Sequence, residues 1–261
     1  MHAFMHSIIS LIALLMMSFS SLADGEPIRV AAASDLKFAV EELAASYTRK
    51  TGHKLNLTFG SSGLLATQIR HGAPFHLFMS ADESYVSDLG KMGLTQDDGT
   101  LYALGRIVLI APKNGQLRLD DRLEGLGEML KKQTLKRFAI ANPDHAPYGK
   151  RAEEALRSQD LWQSIQPYLV LGENVSQAAQ FATSGSAEGG IVALSLVKSP
   201  QLASRVNYVL LSEELHQPLR QRMVLTKKAS DMAKDFYRYL QQPPARAIFK
   251  RYGFELPENN S

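Results

Sequence analysis

Cysteine is absent from the 261-residue chain, which excludes a disulfide framework, a thiolate metal site and a lipid-modified N-terminal cysteine. A core of this size needs no disulfide staples. Charge is missing in one place: residues 1–23 contain no Lys, Arg, Asp or Glu. Within them, residues 8–17 form an apolar run broken only by Ser10, too short to span a bilayer. Ser21-Leu22-Ala23 is a small-x-small triplet placed before the polar Asp24-Gly25-Glu26-Pro27. This is the layout of a secretory signal peptide cleaved after Ala23, although two histidines stand where its n-region usually carries Lys or Arg. The mature chain, 24–261, is expected to be soluble and exported to a Gram-negative periplasm.

Basic stripes are missing as well. The net charge is +3 and the pI about 9.0, but Lys and Arg are scattered, with only short pairs such as Lys131-Lys132 and Lys227-Lys228. Without a basic face interleaved with aromatics, nucleic acid is not an expected partner. A mildly positive surface steers small anions, and it also serves ordinary solubility.

Enzyme signatures are equally scarce. Gly60-Ser61-Ser62-Gly63 is one residue short of the G-x-S-x-G elbow, and no dinucleotide fingerprint, Walker loop or H-E-x-x-H occurs. His71 and His76 are five apart with Pro74 between them, so they do not share a helical face. A metal site is not expected.

Alternation of short β-rich runs with amphipathic helical stretches runs from end to end. Strands are expected at 29–33, 54–59, 77–80, 106–111, 137–141, 168–171, 190–194 and 207–211. Helices are expected at 35–50, 63–70, 85–92, 149–158, 176–183, 230–240 and 245–252. The first helix carries its apolar stripe at Leu36, Val40, Leu43, Ala44 and Tyr47. This order defines the α/β class, with parallel sheets covered by helices.

One local pattern recurs: a strand runs into small or hydroxyl residues that open a helix. It occurs at Ala33-Ser34-Asp35, at Gly60-Ser61-Ser62-Gly63, between Asn142 and Gly149, and at Gly172-Glu173-Asn174-Val175. The first N–H groups of a helix lack intrahelical acceptors and sit at the positive end of its dipole, so several such starts in one cleft make an anion site. Ser34, Ser62 and Asn174 also have the chemistry of ordinary N-caps.

Longer stretches carry a resemblance. Val30-Ala31-Ala32-Ala33-Ser34, residues 59–69 beginning Phe59-Gly60-Ser61-Ser62-Gly63, and residues 72–82 ending Met79-Ser80-Ala81-Asp82 resemble, in order, signatures of the periplasmic molybdate-binding proteins of ABC importers. Asn142-Pro143-Asp144-His145-Ala146-Pro147-Tyr148-Gly149 and residues 248–254 are similar to the same family, so the match covers the mature chain.

The resemblance implies a type-2 periplasmic-binding-protein fold, with two α/β lobes joined by a double-crossover hinge and closing on an interlobe cleft. Lobe 1 would take 24–105 plus 212–261, and lobe 2 would take 106–211. It implies capture of molybdate, and tungstate by size and charge, for delivery to a membrane permease, by a monomer without cofactor or catalysis. The oxyanion would be held by Ser34, Ser62, Tyr148 and Val175, the valine through its backbone, with Asp35 adding a backbone N–H; no side chain would ligate molybdenum directly.

Two departures stand out. Many relatives reach the oxyanion with a tyrosine hydroxyl from the strand matching 190–194, where this chain has Ala193. Asp35 stands where others are uncharged, and its carboxylate is expected to turn toward the helix start. The Tyr148 hydroxyl is then a candidate to replace the missing one. Other readings stay open at this point: a receptor for sulfate or phosphate, a periplasmic serine hydrolase using Ser34 or Ser62, or a ferric-ion or metal-chelate receptor, for which clustered Tyr, His or carboxylates are not evident.

Overall fold

The computed structural model describes residues 26–257, and the expected signal peptide at 1–23 lies outside them. Strand β1 (Ile28–Ala33) is almost wholly buried. A 3-10 turn at Ser34–Leu36 leads into α1 (Lys37–Thr51), which buries Ala39, Val40, Leu43, Ala44 and Tyr47 and ends at left-handed Gly52. Then follow β2 (Leu55–Gly60), α2 (Ser62–Arg70), β3 (Leu77–Ser80), α3 (Glu83–Lys91) and β4 (Thr100–Gly105).

Arg106 leads into the second lobe, made of β5 (Ile107–Pro112), α4 (Glu124–Lys131), β6 (Phe138–Ala141), α5 (Pro147–Ser158), β7 (Leu169–Gly172), α6 (Val175–Thr183), β8 (Gly190–Ala193) and β9 (Val206–Leu210). The chain returns through residues 211–218 to β10 (Leu219–Leu225), α7 (Asp231–Leu240) and α8 (Pro243–Arg251). The returning helices pack on the first lobe, where the Tyr47 ring of α1 meets Phe236 of α7 edge-on with centroids 5.0 Å apart.

Each lobe holds one five-stranded sheet, ordered β2-β1-β3-β10-β4 in the first and β7-β6-β8-β5-β9 in the second. The sheets are mixed, which corrects the expectation of parallel ones. β1 runs parallel to β2 and β3, whereas β10 is antiparallel to β3 and β4; likewise β6 is parallel to β7 and β8, whereas β5 is antiparallel to β8 and β9.

The physical reason is connectivity. In both sheets the fourth strand is the one that crosses over from the other lobe, so it enters from the opposite end, which strand–helix alternation along the sequence does not reveal. At the crossings, Arg106 pairs with Glu213 and Glu255 at 2.6 Å each, tying the two connections together.

Candidate functional site

The four strand-to-helix junctions meet between the lobes. Ala33, Ser34 and Asp35 after β1, Gly60, Ser61 and Ser62 after β2, Ala146, Pro147 and Tyr148 before α5, and Val175 at the start of α6 enclose one cavity, completed by Ala81. The space left between them is about 10 Å³, close to one water-sized sphere. No Lys or Arg lines it. A larger groove of about 650 Å³ lies along α4, but its lining mixes both signs of charge, Arg122 and Lys131 with Glu124 and Glu128.

Local hydrogen bonding determines which donors remain for a ligand. Ser61 is the true cap of α2, its hydroxyl accepting from Leu64 N–H at 3.4 Å. Ser62 Oγ instead accepts from Ala81 N–H at 2.9 Å, and Ser34 Oγ accepts from Ser176 N–H of the other lobe at 3.3 Å. Neither therefore acts as an N-cap, while Asn174 does, accepting from Gln177 N–H at 3.1 Å. A hydroxyl whose oxygen already accepts a backbone N–H keeps its own proton to give.

The backbone follows the same logic. At α2, Gly63 N–H donates to His145 O and Leu65 N–H to Ser61 O, which leaves Ser62 N–H at the cavity wall. At α6, Ser176, Gln177 and Ala178 N–H are engaged, which leaves Val175 N–H. At α5, Pro147 has no N–H and no side chain caps the helix, so Tyr148 N–H stands first.

Several bonds join the lobes around the cavity. His145 Nδ1 meets Ser61 Oγ at 2.9 Å and its carbonyl accepts from Gly63 N–H at 3.0 Å. A Cβ at position 63 would lie 2.7 Å from that carbonyl, so only glycine allows this approach. Ser176 Oγ donates to Ser34 O at 2.8 Å, and Arg151 of α5 pairs with Asp82, the cap of α3, at 3.1 Å.

One wall is a buried polar network. Gln221 Nε2 donates to Asp35 Oδ2 at 2.8 Å and to the Tyr148 hydroxyl at 3.1 Å, and its Oε1 accepts from Tyr102 Oη at 2.8 Å. The Tyr148 hydroxyl also lies within hydrogen-bonding reach of the Asp35 carboxyl. The crossover residue Gly105 makes room, since a Cβ there would stand 2.3 Å from Tyr148 Oη. Burial raises the Asp35 carboxyl to about 6, against the opposing hydrogen bonds from Gln221, Tyr148 and the backbone of Asp35 and Leu36. Burial likewise pushes both phenols up, with Asp35 as a further cause, so both stay neutral.

Every residue singled out from the sequence, Ser34, Asp35, Ser62, Tyr148 and Val175, lines the cavity, whereas Ala193 is a buried strand end outside that lining. Sequence reasoning missed Gln221, whose strand β10 alternates Leu219, Gln221 and Met223 inward with Arg220 and Arg222 more exposed. A polar residue on the inward phase of that alternation was the available signal. It also missed His145 and Arg151, which only the closed pairing of lobes reveals. Among the described residues, no group of three or more His, Cys, Asp or Glu side chains is placed to hold a metal ion.

Two lobes meeting on a small cavity lined by hydroxyl and backbone N–H donors have the architecture of a solute receptor. The chain belongs to the bacterial extracellular solute-binding protein family, whose model matches residues 28–255. Relatives narrow the class. The chain is 35% identical over 238 residues to Molybdate-binding protein ModA of Azotobacter vinelandii, covering 90% of this chain and 92% of that protein. It is 36% identical over 235 residues to Molybdate-binding protein ModA of Rhodobacter capsulatus, covering 89% of each. Among solved structures, the periplasmic molybdate-binding protein of Azotobacter vinelandii matches with a TM-score of 0.80 at 30% identity, over 88% of this chain and 100% of that one.

Proposed function

We propose that the chain captures molybdate, and tungstate by the same size and charge, in the periplasm and delivers it to the membrane permease of an ABC importer. The observation that carries this reading is the donor set: the Ser34 and Ser62 hydroxyls with the backbone N–H groups of Ser62, Tyr148 and Val175 around a cavity without a cation, the Asp35 N–H being turned to its own carboxyl. A tetrahedral dianion is strongly hydrated. Fixed N–H and O–H dipoles replace its water without a net charge that would attract every passing anion. The donors hold oxyanion oxygens, so molybdenum has no protein ligand and no cofactor is involved.

Sulfate has the same charge and shape but shorter bonds to oxygen. Where donors are spaced for the larger ion, some of sulfate's hydrogen bonds are stretched, and unmade bonds discriminate. The reading includes removal of residues 1–23, a monomeric mature protein, and lobes of 24–105 plus 212–261 and 106–211. Intact mass of periplasmic material should start at Asp24. Titration calorimetry of the mature protein should show molybdate and tungstate binding comparably, with sulfate in large excess not competing. Sulfate or phosphate binding of equal strength would overturn the molybdate assignment.

A further inference from the structure

The cavity wall contains one side chain out of keeping with a set of neutral donors. Asp35 lines the cavity beside Ser34 and is only 1% exposed. Its Oδ2 accepts from Gln221, but its Oδ1 is buried without a partner. A buried carboxylate oxygen normally collects hydrogen bonds, and a carboxylate here would face a bound dianion as a second anion. The hydrogen bonds it receives from Gln221, Tyr148 and the Asp35 and Leu36 backbone only partly offset its burial, and no cation stands beside it. The titratable groups that face it are Tyr148 from α5 and Tyr102 from β4, both neutral. β10 presents the uncharged Gln221, and the short helix Leu194–Val197 presents Ser195, whose hydroxyl donates to the Asp35 carbonyl at 2.7 Å.

One proton removes the conflict and fills the vacant position together. We propose that Asp35 meets the oxyanion as a carboxylic acid: Oδ1 takes a proton from solvent and donates it in a hydrogen bond to an oxyanion oxygen, while Oδ2 goes on accepting from Gln221. Each dianion captured therefore brings one proton into the site. The only covalent change is the O–H bond formed at Oδ1, and the ligand stays a dianion. This rests on the reading of the cavity as a dianion site. Burial, against the hydrogen bonds that oppose it, already lifts the carboxyl to about 6, and a neighbouring negative charge pushes in the same direction.

The test is calorimetry of sodium molybdate binding to the mature protein between pH 6 and 9, at each pH in two buffers of different ionisation enthalpy. The apparent affinity of the native protein is expected to fall by up to about tenfold per pH unit above pH 6, the slope for one linked proton. At pH 8 the heats in the two buffers should differ by the buffers' ionisation enthalpies for about one proton taken up. Asp35→Asn offers an N–H in place of the O–H, so its affinity should be flat with pH and its heat independent of buffer. A protonated-carboxyl band should appear in the infrared difference spectrum of the native protein on adding molybdate, and be missing in D35N.

Native protein that binds molybdate with flat affinity and no proton uptake overturns the acid and leaves the molybdate reading standing. Equal proton uptake by D35N places the proton elsewhere and overturns it too. Native protein that binds no molybdate at any pH overturns both.

Discussion

Removing the Ser62 hydroxyl separates two things it does at once. Its oxygen is the acceptor for Ala81 N–H at 2.9 Å in a fully buried setting, and its proton is assigned to the oxyanion. In Ser62→Ala the amide is left without its acceptor inside the first lobe, at a cost of about 1–3 kcal/mol. For a protein of this size that lowers the Tm of the ligand-free protein by roughly 2–12 °C. The lost donor to a charged ligand weakens molybdate binding by about 1.5–3 kcal/mol, or roughly ten- to 150-fold.

Ser34→Ala is the control. Its hydroxyl accepts from Ser176 N–H across the cleft, and in an open molecule that amide returns to water. The affinity loss should be similar, with the ligand-free Tm unchanged. Differential scanning calorimetry and titration calorimetry on both variants read the two effects. If Ser62→Ala lowers Tm while its Kd for molybdate stays the same, the hydroxyl is purely structural and the donor assignment fails.

Gly63→Ala places a methyl against the His145 carbonyl, and overpacking of about 1–3 kcal/mol should weaken molybdate binding roughly five- to 150-fold without lowering the ligand-free Tm; unchanged affinity in calorimetry would show that the lobes need not approach so closely. Tyr148→Phe removes a phenol already bonded to Gln221 and set against Asp35, so a loss of about 0.5–1.5 kcal/mol, roughly two- to tenfold in Kd, is expected. A drop well beyond that would instead make the hydroxyl a direct donor to the oxyanion. With the lobes closed the Asp35 carboxyl is raised to about 6 from about 3.9 unfolded, so the closed form should lose roughly 3 kcal/mol of stability relative to the unfolded chain as pH rises from about 4 to about 6 and change no further from this group above that. Urea midpoints against pH, with D35N lacking this slope, check it; parallel profiles would refute it.

The helix starts were the legible part of the site. Hydroxyl and small residues after apolar runs placed Ser34, Ser62, Tyr148 and Val175 correctly on junctions, because strand ends and helix starts leave a local signature. What stayed hidden depends on long-range placement. β4 and β10 were not marked as strands, since charged Arg220 and Arg222 interrupt the apolar signal of β10, and with β10 went Gln221 and its hold on Asp35. The expected turn of the Asp35 carboxylate toward its helix start agrees with the bonds from the Asp35 and Leu36 backbone, but the burial and the unpartnered Oδ1 come from packing between lobes that no local pattern encodes.

The crossing strands also set an order of assembly. The second sheet is built entirely from residues 107–210, so its five strands are all present as soon as that stretch of chain has emerged. The first sheet needs β10 between β3 and β4, and β10 begins only at Leu219. A chain appearing from its N-terminus thus starts the first lobe earliest and completes it last. Until residues 219–225 arrive, β3 and β4 keep bare edges toward the gap, the state in which strands are most open to wrong pairing. The late, non-local closure of that gap is the step expected to limit folding.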